Sequence, residues 1–214
     1  FQVLLKIIYQ QETNFYHLLR NSMEKTIDVG GTSDAWDIPH LVEIFKTLNP
    51  KTVLDVGTGC FGKNAYILRQ YVEHKFRHLY GSSYLTIAGI EAYEKNANFV
   101  EPLDLYNTIF VEPALEFFRF QKSLWNVVVC THVLEHHTKE DGWFLLEEMY
   151  AAANKAVVLA SPYGEYKFEG NPNPYQDHKS TWFPDEIAEK YPITTPIMGR
   201  NNTGHLEFLI VIPK

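Results

Sequence analysis

Apolar positions change their period several times along this chain, and the changes divide it into elements. Leu4, Leu5, Ile8, Phe15, Leu18 and Leu19 recur at helical spacing, which predicts one or two amphipathic helices ahead of a polar stretch over 21–34. Residues 1–37 are read on this basis as an N-terminal helical extension able to serve as a lid, and 38–214 as the main domain. A helix is predicted over 38–48, ended by Asn49-Pro50, because the residue before a proline is pushed out of the helical region. From there short apolar runs alternate with helical patterns: strands at 52–57, 86–91, 108–111, 126–130 and 155–160, and helices over 62–76, 114–121 and 139–153. Runs such as Trp125-Asn126-Val127-Val128-Val129-Cys130 suit strands buried on both faces. Repeated βα units of this kind imply an α/β fold, a parallel sheet covered by helices on both sides.

The end of the chain breaks that rhythm. Two extended runs, 193–198 and 205–212, flank Gly199-Arg200-Asn201-Asn202-Thr203-Gly204, which suits a hairpin and a final strand running against the rest. Before it lies SPYGEYKFEGNPNPYQDHKSTWF, residues 161–183. Its prolines, glycines and aromatics mark an ordered functional loop more than a flexible linker.

Composition narrows the picture. A chain of 214 residues with 45% apolar and 14% aromatic content can bury a large single core. A formal charge of -7 and a pI near 5.7 oppose attraction to phosphate backbones and anionic membrane surfaces, so neither nucleic acid nor membrane is an expected partner. The two cysteines, Cys60 and Cys130, are too few for a disulfide framework and read as buried thiols of a reducing compartment. No apolar run approaches the roughly 18 residues of a membrane span. The opening FQVLLKIIYQ is short, interrupted and not followed by a small-residue cleavage site, so a cytoplasmic location is expected. The sequence does not specify an oligomeric state.

Two stretches carry chemistry. His132-Val133-Leu134-Glu135-His136 fits the H-x-x-E-H string of inverted zinc peptidases. Such a site needs a third ligand, and Glu147 and Glu148 follow too closely to supply it in the usual arrangement. The expectation is therefore a metal-free pocket whose activity survives chelators. The second stretch, Gly57-Thr58-Gly59-Cys60-Phe61-Gly62, fits G-x-G-x-x-G between a strand and a helix. Glycines there let the backbone approach a ligand and free the helix start to face it. Two carboxylates discriminate among ligands. Asp55, two residues before Gly57, would repel a pyrophosphate and suit a cation. Glu91, at the tip of the second strand, can accept hydrogen bonds from both hydroxyls of a ribose. A ribose with a positive amine or sulfonium and no phosphate describes S-adenosyl-L-methionine.

The segments VLDVGTGCFG at 53–62, GIEAYEKN at 89–96 and WNVVVCTHVLEHH at 125–137 together resemble the successive motifs of class I S-adenosylmethionine-dependent methyltransferases, over residues 38–213. The resemblance implies a Rossmann-like, doubly wound, seven-stranded sheet in the order 3-2-1-4-5-7-6 with the last strand antiparallel. It further implies that Gly57, Thr58 and Gly59 cradle the cofactor with Phe61 and Gly62 completing the turn. Asp55 would lie near the amino-acid end, and Glu91 and Ala92 at the ribose. Past the third strand, Glu112 and Ala114 stand where the family carries its adenine contact, with Pro113 between them. Thr131 and His132 would flank the transferable methyl, while Glu135, His136 and His137 mainly pack and hydrogen-bond.

The expected function is methyl transfer to a small-molecule acceptor, with His132 the first candidate base and His178, on the long loop, the second. Tyr163, Tyr166, Tyr175, Trp182 and Trp36 are candidate walls for that acceptor. Two other readings stay open. A NAD-dependent oxidoreductase would have no need of Asp55, and a non-catalytic interaction module would have its pocket filled by side chains.

Overall fold

Five apolar runs form parallel strands: Thr52–Val56 (β1), Thr86–Ile90 (β2), Thr108–Phe110 (β3), Trp125–Thr131 (β4) and Ala153–Pro162 (β5). The terminal hairpin adds Ile197–Arg200 (β6) and Leu206–Pro213 (β7). In this computed structural model, which describes residues 35–73 and 83–214, the strands form one sheet in the order β3-β2-β1-β4-β5-β7-β6. β7 runs antiparallel to both β5 and β6. Order and reversal are those the resemblance implied. The helices expected within 1–34 lie outside the described residues.

Alternation along the strands builds two cores. Val53, Ile87, Val127, Val129, Val158 and Leu209 face one side, under Leu41 and Phe45 of helix Ile38–Leu48 (α1) and Ala65 and Ile67 of helix Lys63–Ile67 (α2). Leu54, Val56, Ile90, Val128, Cys130, Val157 and Phe208 face the other. That side is covered by helices Ala114–Phe120 and Lys139–Ala152, through Phe117, Phe118, Leu145 and Met149. Strands buried on both faces explain why their sequence is continuously apolar.

Helix ends follow local chemistry. α1 stops where Asn49 takes a left-handed conformation, φ 42°, and returns its N–H to Phe45 O. The helix Glu94–Val100 (α3), which the apolar pattern did not predict, precedes Ala114–Phe120 (α4). Lys139–Ala152 (α5) is capped by the Thr138 hydroxyl, which accepts from Asp141 N. Gly142 in α5 leaves room for Trp182: a Cβ there would stand 2.4 Å from the indole Cζ2. A short helix, Pro184–Ala188 (α6), follows the long loop.

The helical pattern over 62–76 is realised as α2 followed by a π-helical turn, Leu68–Val72. Widening the turn aims the buried Arg69 at the carbonyls of Leu105 and Leu85 and at Glu73, 2.8 Å away, which fastens the entries to β2 and β3. Trp36 and Asp37 pack into the domain. The Trp36 indole N–H donates to Glu207 on β7, and both Asp37 oxygens accept from Lys63 Nζ, at 2.9 and 2.7 Å. Among the described residues no helix is long and apolar enough to cross a membrane.

Candidate active site

Every parallel strand delivers its C-terminal end to the same edge of the sheet, and a cavity of about 400 Å³ lies there. This is the edge at which open α/β sheets bind ligands, beside the reversal of strand order between β1 and β4.

The turn after β1 is built on backbone conformations that favour glycine: φ is 77° at Gly57, 60° at Gly59 and 59° at Gly62. Gly57 also has no room for a side chain, because a Cβ would lie 2.4 Å from Val133 Cγ2. The turn is locked to the end of β2: the N–H groups of Gly57 and Thr58 donate to Ile90 O at 2.9 and 3.1 Å, and Gly59 N donates to Glu91 Oε2 at 2.9 Å.

Glu91 lines the cavity at 6% exposure. Its other oxygen accepts from Tyr93 N at 2.9 Å, and the Thr58 hydroxyl stands 3.3 Å from Oε2 with Gly59 O as an alternative acceptor at 3.1 Å. Burial raises the Glu91 carboxyl above its ordinary range, against these donors and Asn96. Ala92, Pro113, Ala114 and Leu115 continue the wall beside it with apolar surface.

Asp55 behaves differently. It is fully buried and does not line the cavity; Tyr106 Oη donates to Oδ2 at 2.6 Å and Asn64 Nδ2 to Oδ1 at 2.8 Å. Burial pushes its carboxyl up to about 6, despite those two bonds and the nearby Lys63. Asn64, which does line the cavity, also donates to Thr131 Oγ1 at 3.1 Å.

At the end of β4, His132 takes a left-handed conformation, φ 59°, uncommon for a side-chain-bearing residue. Its N–H still donates to Ala160 O at 2.9 Å. The ring lies between two buried carboxylates, Nδ1 3.4 Å from Glu135 Oε1 and Nε2 3.5 Å from Glu207 Oε2. Burial alone would lower His132, but the Glu135 hydrogen bond and the charges of Glu207 and Glu135 raise it above the usual imidazole range. Burial would likewise raise Glu135, yet His132 and His136 hold its carboxyl down to about 2. Ser161 Oγ donates to its second oxygen at 3.1 Å.

The histidines that follow separate in role. His137 lines the cavity too, but its Nδ1 is tied to Val133 O at 3.0 Å. His136 faces the cavity and stacks obliquely on His178, ring centroids 5.0 Å apart. The long loop reaches over this end of the cavity because Lys179 N and Ser180 N both donate to Glu135 O, at 2.7 and 3.1 Å.

Of the residues the sequence singled out, Gly57, Thr58, Gly59, Phe61, Glu91, Ala92, Ala114, Thr131, His132 and His178 line one cavity. Asp55, Gly62 and Glu112 do not. Among the aromatic candidates Tyr166 and Tyr175 line it, whereas Trp182 is core, Trp36 lies behind Glu207 and Tyr163 packs on Phe183. Lys63, Asn64 and Glu207 line it without having been anticipated. The first two directly follow the glycine turn at a helix start, a position that could have flagged them. Glu207 stands out in sequence only as a lone charge in the apolar run of β7. Both cysteines are buried, and burial pushes the Cys60 thiol up to about 12.

No family model matches the chain, and no curated protein matches it in sequence. Solved structures do match. The magnesium protoporphyrin IX methyltransferase of Synechocystis PCC 6803 with bound SAH superposes with a TM-score of 0.58 at 14% identity, over 83% of this chain and 82% of that one. The N-terminal domain of EvdMO1, solved in the presence of SAH and D-fucose, gives 0.58 at 14% identity over 94% and 96%. The methyltransferase domain of bacterial CtHen1-CN gives 0.56 at 16% over 83% and 97%. The chain has the Rossmann-like methyltransferase fold.

Proposed function

We propose that this protein is an S-adenosyl-L-methionine-dependent methyltransferase acting on a small-molecule acceptor. The observation that carries the reading is Glu91. Its carboxylate lies in the cavity wall, hydrogen-bonded to Gly59 N–H of the glycine turn, and the same cavity is lined by the apolar Ala92, Pro113, Ala114 and Leu115 and by His132.

The residues present fit the cofactor. The Thr58 hydroxyl can turn to Gly59 O, which would free a Glu91 oxygen for a ribose hydroxyl. Ala92, Pro113 and Ala114 offer a base an apolar surface, and the Glu91 carboxylate bonded to the glycine turn would repel a pyrophosphate. S-adenosylmethionine, when bound, supplies a methyl group already activated on a sulfonium. The protein's task is then alignment, and orientation of two reactants can lower a barrier by about 7–11 kcal/mol. Thr131 and His132 at the tip of β4 would set the acceptor's approach. His132, in its neutral form, would take the acceptor's proton where that acceptor is a poor nucleophile. His178 faces the same cavity, but its Nδ1 is bonded to Tyr166 O at 2.6 Å, which leaves only Nε2 free. Tyr166, Phe168 and Tyr175 supply aromatic walls suited to a small organic acceptor.

Calorimetry with S-adenosylmethionine, S-adenosylhomocysteine and NAD tests the cofactor. Binding of either of the first two and not of NAD is expected; tight NAD binding alone would favour an oxidoreductase. Transfer of a labelled methyl group into fractionated metabolites would then find the acceptor.

A further inference from the structure

Beyond the hold of Glu135 on His132 and on the long loop, the second half of the HVLEHH stretch has no task in the reading above. We propose that Glu135, His136 and His178 form a site for a divalent first-row transition cation, open on one side to the acceptor end of the cavity. Their donor atoms all lie within 4.8 Å of one another. Ligands about 2.0–2.2 Å from a shared ion sit at most about 4.4 Å apart, so a small inward rotation of the side chains closes the set.

The second observation is how the two imidazoles are held. A metal-binding histidine usually gives its other ring N–H to a backbone carbonyl or carboxylate, which fixes the tautomer and aims the free nitrogen. His178 Nδ1 bonds Tyr166 O at 2.6 Å, leaving Nε2 free. His136 hydrogen-bonds the backbone of Asp177, and its Nδ1 is buried without any hydrogen-bond partner. A buried acceptor left unpaired carries a desolvation penalty, and a cation would remove it. Glu135, fully buried and bonded by Ser161, supplies the negative charge.

Two imidazoles and one carboxylate select zinc, cobalt, iron or manganese over magnesium or calcium, whose preferred ligands are all oxygen. Three protein ligands leave a coordination position vacant, the pattern of a catalytic rather than a structural site. The string first met as H-x-x-E-H thus contributes its Glu and second His, and the long loop provides the third ligand. This departs from the expectation of a metal-free pocket.

The ion's role, unlike the site itself, rests on the methyltransferase reading. An acceptor hydroxyl in the vacant position would be acidified by the cation. Its proton passes to His132, whose Nδ1 is 3.4 Å from the same Glu135. The oxygen then forms its bond to the methyl carbon as the carbon–sulfur bond breaks, and the electron pair leaves on sulfur as a neutral thioether.

The test uses the full chain, stripped with chelator and titrated with Co²⁺ by visible absorption and calorimetry, with S-adenosylhomocysteine binding measured in parallel. Intensified cobalt absorption displaced by Zn²⁺ is expected. Since loss of outer partners alone weakens metal sites by about 10–100-fold, His178→Ala and His136→Gln should each weaken cobalt binding by at least about tenfold. His178→Ala changes a half-buried loop residue, so retained S-adenosylhomocysteine binding and thermal midpoint establish that it folds. No cobalt spectrum in the wild type, or equal affinity in both variants, overturns the site. Cobalt binding without any nucleoside binding would support the site while removing the methyltransferase reading and the ion's role with it.

Discussion

Asn64 Nδ2 donates to Asp55 Oδ1 across 2.8 Å, and it is Asn64, not Asp55, that reaches the cavity. A buried carboxylate one residue inside the strand therefore acts on the site through an amide at the start of the next helix. The same amide bonds Thr131 at the tip of β4, so one side chain links the ends of β1 and β4 on either side of the switch in strand order. Any effect of Asp55 on a bound cation is carried by this link and by charge at a distance.

Asp55→Ala should accordingly damage both stability and binding. It removes, at the fully buried Asp55, one acceptor of the Tyr106 hydroxyl and one of the Asn64 amide, and a buried polar group left unsatisfied costs about 1–3 kcal/mol. S-adenosylhomocysteine affinity is expected to fall at least about tenfold, equivalent to about 1.4 kcal/mol. Denaturant unfolding and calorimetry on the same samples check this. Asp55→Asn, which preserves an acceptor for Asn64, should lose much less of either.

The Asp55→Asn variant also isolates a pH dependence. Burial raises Asp55 from 3.8 to about 6 in the folded protein, so between those values the native state holds a proton that the unfolded state has lost. Its contribution to stability is complete below about pH 4 and is lost as pH rises through about 6. At pH 7 that loss is on the order of 3 kcal/mol. Relative to Asp55→Asn, wild-type stability should decline between pH 4 and pH 7. Unfolding curves for both proteins across this range measure it as a difference, in which other carboxylates cancel.

Glu91 offers a different outcome because it faces the cavity itself. Glu91→Ala removes the acceptor of Gly59 N–H and Tyr93 N–H as well as the expected ribose contact. Nucleoside affinity should fall at least about tenfold, whereas Glu91→Gln keeps one acceptor oxygen and should fall less. An unchanged dissociation constant for Glu91→Ala would remove the ribose role.

The sheet was legible because its strands are buried on both faces, which writes them as uninterrupted apolar runs such as Val127-Val128-Val129. The glycine turn was legible because its left-handed backbone leaves few alternatives to glycine. The helix α3 was not, since EKNANFV buries only Asn96, Ala97 and Val100 and shows little apolar period. The depth of Asp55 and the approach of Glu207 to His132 were hidden for another reason. Each depends on which strands become neighbours: β4 beside β1 brings Asn64 to Thr131, and β5 between β4 and β7 brings Glu207 to His132. Spacing along the chain carries no record of those pairings. Trp36 shows the same limit, as its N–H finds Glu207 across 171 residues.

His132 provides the last prediction, because its two carboxylate neighbours come from different elements and can be removed separately. Glu135 lies on the turn after β4 and Glu207 on β7, at 3.4 and 3.5 Å from the two ring nitrogens, with Lys63 opposing them from α2. Burial would lower His132, but the two carboxylates raise it, so the imidazolium is favoured more than in a free histidine. Replacing Glu207 by Gln removes one negative charge while keeping an acceptor for the Trp36 N–H. The His132 titration should then move to lower pH, and the stability it adds, lost as pH rises through its folded pKa, should be lost at lower pH as well. NMR titration of the histidine Cε1–H signals, with His132→Gln to assign the resonance, reads the midpoint directly. Where His132 serves as the proposed base, its neutral ring is the proton acceptor, so the acidic limb of kcat/KM should follow the same displacement. A midpoint that stays fixed in Glu207→Gln would mean that Glu135 alone sets the charge of this ring.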